Sequence, residues 1–169
     1  MIFYEEILKE FKKDKVKYII VGGVAMNLLG SMRNTADLDI LAEMTDANLK
    51  KIVQIMKKKG YMVKIPADPM GIADAKIRRE WIKEKNMKAL NFYRKESFEQ
   101  VDIIIASPVS YEKAKVRVTR IQVEKGLSLP VISIDDLIKM KKAAGRGVDR
   151  FDIRELEYIK ELQKRGQSV

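Results

Sequence analysis

The chain has no cysteine and no histidine among its 169 residues. Without cysteine it has no disulfides, thiolate metal ligands or cysteine nucleophiles, which is typical of a cytoplasmic protein. Without histidine it lacks serine–histidine catalysis, imidazole general bases and histidine-bound zinc. Any acid–base or metal chemistry therefore depends on Asp, Glu, Lys, Arg or Tyr, and oxygen ligands of this kind favour hard cations such as Mg²⁺.

Long hydrophobic runs are also absent, since none approaches the roughly 20 residues that span a bilayer. Residues 1–12 mix acidic with basic side chains and offer no small-residue cleavage site, so we expect neither a signal peptide nor a membrane association. Lys and Arg number 34 against 24 Asp and Glu, which gives a formal charge of +10. This surplus favours RNA, DNA or nucleotides as partners, although a lysine-rich surface without such a partner has the same composition.

Hydrophobic periodicity and turn residues predict an alternation of helices and strands. The predicted helices cover residues 2–13, 24–29, 46–58, 72–85, 134–145 and 149–164, and the predicted strands cover 17–21, 37–41, 88–94, 100–106 and 116–123. This order indicates the α/β or α+β class, with a mixed sheet flanked by helices and a helical C-terminal extension. A hydrophobic fraction of 46% suits a single domain over 1–169, with a core over about 1–130 and C-terminal helices over about 133–165.

Two carboxylates, Asp37 and Asp39, lie on the predicted strand 37–41. Residues i and i+2 of a strand point to the same side, about 7 Å apart. The two acids therefore share a face, while Leu38 and Ile40 face the core. Such a like-charge pair is costly unless a cation lies between the carboxylates. The alternative is a solvated strand edge with two exposed acids.

Asp102 is an acid within an otherwise apolar predicted strand, where an unpaired charge is expensive. A metal ion shared with Asp37 and Asp39 removes that cost, and an ion pair with a nearby Lys or Arg is the alternative.

Gly22 and Gly23 stand between a predicted strand and a short helix. Without Cβ atoms they let a ligand approach the backbone, and a helix N-terminus suits a phosphate. Close packing of the corner is the alternative.

The predicted helix 134–145 has an inward stripe at 100° per residue, formed by Ile134, Leu137, Ile138 and Ala144. Lys141 falls inside this stripe, and Asp149 and Asp152 share the inner face of the last helix. Either Lys141 or Arg146 pairs with one of these acids and fixes the C-terminal helices to the core, or both cations reach phosphates while an acid orients one of them.

Several of these features together resemble one known group, the DNA polymerase beta-type nucleotidyltransferase superfamily. They are Gly22-Gly23, the stretch Arg-Asn-Thr-Ala-Asp-Leu-Asp over 33–39, Asp102 on a later strand, and residues 136–146 followed by Asp149 and Asp152. The chain is most similar to small prokaryotic members, including the nucleotidyltransferase toxins of abortive-infection (type IV) toxin–antitoxin systems. Many members have Gly-Ser where this chain has Gly22-Gly23, so the serine hydroxyl that would touch the triphosphate is absent.

The resemblance implies transfer of a nucleoside monophosphate from a nucleoside triphosphate, ATP among them, to a hydroxyl acceptor, with release of pyrophosphate. It implies two Mg²⁺ ions, replaceable by Mn²⁺, held by the catalytic residues Asp37, Asp39 and Asp102. It also implies that the nucleotide contacts backbone, hydroxyl and cationic groups, namely those of Gly22, Gly23, Arg33, Thr35, Lys141 and Arg146. Asp149 and Asp152 would support these groups. For Arg33 the alternative is a surface loop residue, and for Thr35 it is a bond to the local backbone.

The acceptor stays open at this point. RNA such as a tRNA 3′ end is favoured by the positive charge, and a protein hydroxyl is the other candidate, as when a toxin or antitoxin of this superfamily modifies its cognate partner. A small molecule such as an aminoglycoside is disfavoured, because the sequence shows no acidic pocket for a polycation. The alternative function is a catalytically inactive module of the same fold that binds nucleotide, RNA or a partner protein.

Overall fold

The computed structural model describes residues 4–166. The strands of this range are β1 (Tyr18–Val21), β2 (Asp37–Ala42), β3 (Met62–Val63), β4 (Ala89–Tyr93), β5 (Gln100–Ile104), β6 (Thr119–Glu124) and β7 (Leu127–Val131). The helices are α1 (Glu5–Lys13), α2 (Gly22–Leu28), α3 (Asp46–Lys58), α4 (Ala75–Lys83), α5 (Tyr111–Ala114), α6 (Ile134–Ala144) and α7 (Gly147–Lys164), with 3₁₀ turns at Pro69–Ala73 and Lys115–Arg117. Ile2, which the sequence assigns to the first helix, lies outside the described residues.

One mixed sheet organises the described chain, with the strand order β3-β4-β5-β2-β1-β7-β6. β2 runs parallel to β5 and β1 runs parallel to β7, whereas the other neighbours are antiparallel. Helices pack against this sheet, and α6 and α7 pack together at the C-terminal end. The predicted α+β class, mixed sheet and helical C-terminal extension are confirmed.

The centre of the sheet forms the core. All four residues of β1 are buried, and in β2 the side chains of Leu38 and Ile40 are fully buried. Asp37 and Asp39 alternate with them and stay partly accessible on the opposite face. The period of two predicted from the sequence is therefore observed, and the burial of the apolar positions fixes which way the carboxylates point.

Two predicted elements differ from the structure. The helix expected over 72–85 is a 3₁₀ turn followed by α4, because the Asp74 side chain accepts hydrogen bonds from the backbone N–H groups of Lys76 and Ile77 and starts a new helix there. β7 was not predicted; it contains Pro130, and proline is uncommon inside a strand because it cannot donate a backbone hydrogen bond. In the structure this strand pairs with β6 and also with β1, where Val131 lies opposite Ile20.

The C-terminal helices follow their local signals. Ser133 caps α6 by accepting a hydrogen bond from the backbone N–H of Asp136. Lys141 is buried as predicted, but Ala144 is exposed, so its assignment to the inward stripe was wrong. α6 ends at this residue, and Gly145 follows in a left-handed conformation that caps the helix, so the last turn is less covered than the turns before it. Within residues 4–166, no helix is long and apolar enough to cross a membrane.

Candidate active site

Three carboxylates occupy one face of the sheet at its centre. β2 and β5 pair in parallel, so that Asp39 lies opposite Asp102 and Asp37 lies opposite Gln100. Neighbouring strands lie about 4.8 Å apart, which places Asp39 and Asp102 side by side. Within the described chain Asp102 forms no direct ion pair with a Lys or Arg side chain. The positive charge of Lys64 nevertheless acts to lower the pKa of Asp102.

The electrostatics of these acids reflect burial and mutual repulsion. Burial raises the pKa of Asp39 to about 7, with further increases from Asp102 and Asp37, while Arg146 and Lys141 act in the opposite direction. Burial also raises the pKa of Asp102, an effect that the polar side chain of Asn91 opposes. Negative charge is therefore concentrated where it is poorly solvated, and a bound cation would stabilise it.

The glycine pair packs directly on this acidic face. A Cβ atom on Gly22, whose φ is +68°, would lie 1.9 Å from Oδ2 of Asp39. A Cβ atom on Gly23 would lie 2.4 Å from Oγ1 of Thr35. Neither position accepts a side chain without displacing its neighbour, and the left-handed backbone at Gly22 adds a second reason for glycine. Thr35 thus occupies the space that a serine at position 23 would need.

The predicted cations are tied to the two acids of the last helix. Nζ of Lys141 lies 2.6 Å from Asp152 and 3.7 Å from Asp149, and all three side chains are buried. Arg33 also contacts Asp152 through its guanidinium group. Arg146 donates two hydrogen bonds of 3.0 Å to the carboxylate of Asp149. The inward direction of both acids is confirmed, and the ion pairs expected under the structural alternative are present.

A cavity of about 740 Å³, here called the carboxylate cavity, joins these groups. Its polar lining includes Gly22, Asp39, Asp102, Lys141 and Arg146. Its apolar wall comes from β5, from the loop after it and from α6, with Ile104, Pro108, Leu137 and Met140. The other predicted residues do not line this cavity: Gly23, Arg33, Thr35, Asp37, Asp149 and Asp152.

Sequence reasoning missed three residues of this region. Lys88 lines the carboxylate cavity, and Asn91 lies opposite Asp102 across the β4–β5 pair. Tyr4 donates its hydroxyl proton to the carbonyl of Gln100 at 2.8 Å and also contacts the carbonyl of Ala36, so it holds the starts of β5 and β2 together. The strand register would have revealed Asn91, but no local signal identifies Tyr4 or Lys88.

Metal binding has to be judged from the donor groups. In the part of the chain that the structure describes, no group of three or more Asp, Glu, His or Cys side chains is arranged as a ready metal site. The donors nevertheless fit a hard divalent cation, because Asp39 and Asp102 supply adjacent carboxylate oxygens whose repulsion and burial disfavour their charged forms. A cation there would offset both effects.

Comparison with known proteins decides the family. Residues 2–164 match the family described as a nucleotidyltransferase of unknown function (DUF6036). The chain belongs to this family. No curated protein matches it by sequence.

Two solved structures share the fold of this nucleotidyltransferase. One is the lincosamide antibiotic adenylyltransferase LnuA bound to lincomycin, which is 18% identical over 91% of this chain and 94% of that chain, with a TM-score of 0.61. The other is ANT(2″)-Ia in complex with adenylyl-2″-tobramycin, which is 15% identical over 94% of this chain and 91% of that chain, with a TM-score of 0.55. At these identities the similarity extends to the fold alone.

Proposed function

We propose that the chain is a cytoplasmic, Mg²⁺-dependent enzyme that transfers a nucleoside monophosphate from a nucleoside triphosphate such as ATP to an acceptor hydroxyl. The observation that supports this most directly is the pairing of Asp39 with Asp102 beside the Gly22 backbone, in a cavity that also receives Lys141 and Arg146. Acidic donors for a metal and cationic donors for phosphate thus meet in one place.

In this proposal the sheet binds the metal ions and the C-terminal helices bind the phosphates. The sheet, up to about residue 130, carries the carboxylates Asp37, Asp39 and Asp102 that would hold two Mg²⁺ ions, or Mn²⁺ in their place. The helices carry Lys141 and Arg146, whose charges would meet the triphosphate. When bound, the metal supplies Lewis-acid charge that lowers the pKa of the acceptor hydroxyl and neutralises the phosphates.

The remaining chemistry belongs to the side chains. Asp102 accepts the proton of the acceptor hydroxyl, because no histidine exists to do so. The hydroxyl oxygen forms a bond to the α-phosphorus, and the bond from that phosphorus to the leaving pyrophosphate breaks. Lys141 and Arg146 stabilise the negative charge that grows on the leaving group. Asp149 and Asp152 hold these cations in place, together with Arg33.

The backbone at Gly22 and Gly23 replaces the Gly-Ser turn of many superfamily members. Thr35 lies where the serine side chain would lie, so its hydroxyl is the group available for the same contact with the nucleotide. Lys88 and the apolar wall of the carboxylate cavity are positioned to contact the rest of the substrate.

RNA, such as a tRNA 3′ end, and a protein hydroxyl are the acceptors that we propose, and the +10 charge favours RNA. A protein acceptor would fit a toxin–antitoxin system in which the enzyme modifies or is controlled by its cognate partner. A small-molecule acceptor is a second candidate, because both named neighbours hold small molecules: the lincosamide antibiotic adenylyltransferase LnuA is bound to lincomycin, and ANT(2″)-Ia is in complex with adenylyl-2″-tobramycin. The cavity lining carries Lys88, Lys141 and Arg146 beside Asp39 and Asp102, so it is not the predominantly acidic pocket that would favour a polycationic substrate.

The decisive experiment is an incubation with α-labelled nucleoside triphosphates, Mg²⁺ and either total RNA or cell lysate. We expect label on a macromolecule and release of pyrophosphate. Asp39→Asn should lower the rate by about a hundredfold or more, since it removes a charge at the reacting centre. The matched control is Asp135→Asn, a change at an exposed acid that pairs with Lys160 on the surface.

Equal rates for the two variants would contradict the proposed role of Asp39. The non-catalytic alternative predicts a different result, namely binding of RNA or nucleotide by calorimetry that is independent of Mg²⁺, with no pyrophosphate released. Labelling of a small molecule in a lysate depleted of RNA and protein would identify the second candidate.

A further inference from the structure

A second cavity, here called the basic cavity, lies at the opposite end of β1 from the carboxylate cavity. Its volume is about 230 Å³. Tyr18 and Ile19 line it, whereas Val21 and Gly22 line the carboxylate cavity about 10 Å further along the strand. The two cavities have no lining residue in common, so the basic cavity needs an explanation of its own.

The lining of the basic cavity is strongly positive. It contains five basic side chains and, among the described residues, no acidic one: Lys12, Lys15, Lys17, Lys115 and Arg120. Lys17 and Lys115 pair with acids that lie outside the lining. Lys15 and Arg120 have no ion-pair partner within residues 4–166. Cations that converge without acids favour an anionic ligand.

A buried hydroxyl adds a second, independent observation. Tyr18 lines the basic cavity and is only 7% exposed. Its ring packs edge-on against Phe11, with ring centroids 5.2 Å apart, while its hydroxyl has no hydrogen-bond partner in the described chain. Because no fully buried polar atom there lacks a partner, this hydroxyl keeps some accessible surface, and Tyr18 is a lining residue of the basic cavity.

The Tyr18 hydroxyl is suited to donate a hydrogen bond. Burial raises its pKa to about 12, although Arg120 acts in the opposite direction, so it keeps its proton at neutral pH. Ser128 and Tyr111 bring further hydroxyl groups to the same lining. Cationic and hydroxyl donors together are the groups that bind phosphate oxygens.

We propose that the basic cavity binds a phosphate group, carried either by an RNA strand or by a free polyphosphate. The cavity is smaller than the roughly 300–1,000 Å³ of sites that enclose a drug-sized ligand. It therefore suits one or two charged groups rather than a whole cofactor. This inference is independent of the proposed function, because it uses none of the residues of the carboxylate cavity.

The test compares two double variants that remove the same charge. Lys15→Ala/Arg120→Ala removes the two unpaired cations of the basic cavity. Arg79→Ala/Lys95→Ala removes two exposed cations elsewhere and serves as the matched control. Tyr18→Phe deletes only the buried hydroxyl. The probes are a labelled 12-nucleotide single-stranded RNA, followed by fluorescence anisotropy, and pyrophosphate, followed by calorimetry, both at 0.1 M salt.

We expect the cavity double variant to weaken binding of at least one probe by about a hundredfold, at about tenfold for each charged contact. Tyr18→Phe should weaken binding of the same probe. The distant double variant should change binding less than about threefold, because each of its two charges is exposed and screened by salt. A loss confined to RNA identifies a strand, whereas a loss for pyrophosphate identifies a free anion. Failure of the wild type to bind either probe, or equal losses in the two double variants, would overturn the proposal.

Discussion

The buried ion pairs between α6, α7 and the loop before β2 predict a large stability effect at one residue. Asp152 is 3% exposed and contacts both Lys141, at 2.6 Å, and Arg33. Replacing it with alanine leaves a buried ammonium group with only the weaker contact to Asp149 at 3.7 Å. Breaking a buried ion pair costs about 3–5 kcal/mol. Because Lys141 keeps its contact with Asp149, we expect the cost of Asp152→Ala to lie near the lower end of this range.

A loss of about 3 kcal/mol corresponds to a decrease of about 6–12 °C in Tm for a chain of this length. Asp135→Ala is the matched control, because that acid also pairs with a lysine but its side chain is 59% exposed, and such pairs contribute less than about 1 kcal/mol. Urea and thermal denaturation measure both variants. A double variant, Asp152→Leu/Lys141→Met, should recover much of the loss, because it removes both charges of this ion pair, while Asp149 keeps its hydrogen bonds from Arg146.

An Asp152→Ala variant that loses no more free energy of unfolding than Asp135→Ala would show that the buried ion pair contributes no more than the exposed one. A double variant that is less stable than the single one would show that the cost comes from packing volume instead of from an unpaired charge. Either result would mean that α7 is held to the rest of the protein by its apolar face, chiefly Leu156 and Ile159.

Two further predictions follow from local geometry and charge. Gly22→Ala and Gly60→Ala both place a side chain on a left-handed residue, which costs about 1–2 kcal/mol. Only Gly22→Ala also displaces Asp39, so it alone should abolish nucleotide transfer in the labelling assay. Equal activities of the two variants would contradict this prediction. Burial acts to raise the pKa of Asp136, but hydrogen bonds from Arg117, Lys139 and Ser133 outweigh it and lower the pKa below 3.8. The ionised Asp136 carboxylate therefore stabilises the fold fully at pH values above its pKa in the unfolded chain. This contribution is lost as the pH falls through its lower pKa in the folded protein. Asp136→Asn should therefore be about 2 kcal/mol less stable at pH 7, with a difference that narrows below about pH 4 in denaturation curves; a constant difference would contradict it.

The sequence predicted those parts of the protein that depend on local pattern. The alternation around Asp37 and Asp39 fixed their common face, and helical projection placed Lys141 in the core. The sequence could not show that Asp102 pairs in register with Asp39, because strand pairing joins residues 63 positions apart and depends on the whole sheet. Tyr4, 96 positions from its partner Gln100, was missed for the same reason.

β7 was missed for a local reason. Pro130 removes a backbone donor, so the pattern favours a loop. The strand forms because its buried residues, Leu127, Leu129 and Val131, pack into the core, and tertiary burial outweighs the proline. The assignment of Ala144 to the inward stripe was wrong, because helical periodicity carries no information about how far the rest of the protein covers the last turn of a helix.

The contact between Gly23 and Thr35 carries a consequence for the evolution and redesign of this fold. A Cβ at position 23 would overlap the hydroxyl of Thr35. The space between the two positions therefore holds a side chain from either position 23 or position 35, but not from both. A serine at position 23 should be tolerated only together with a smaller residue at position 35. We expect relatives of this chain to covary at the two positions, and Gly23→Ser to recover its fold when combined with Thr35→Ala.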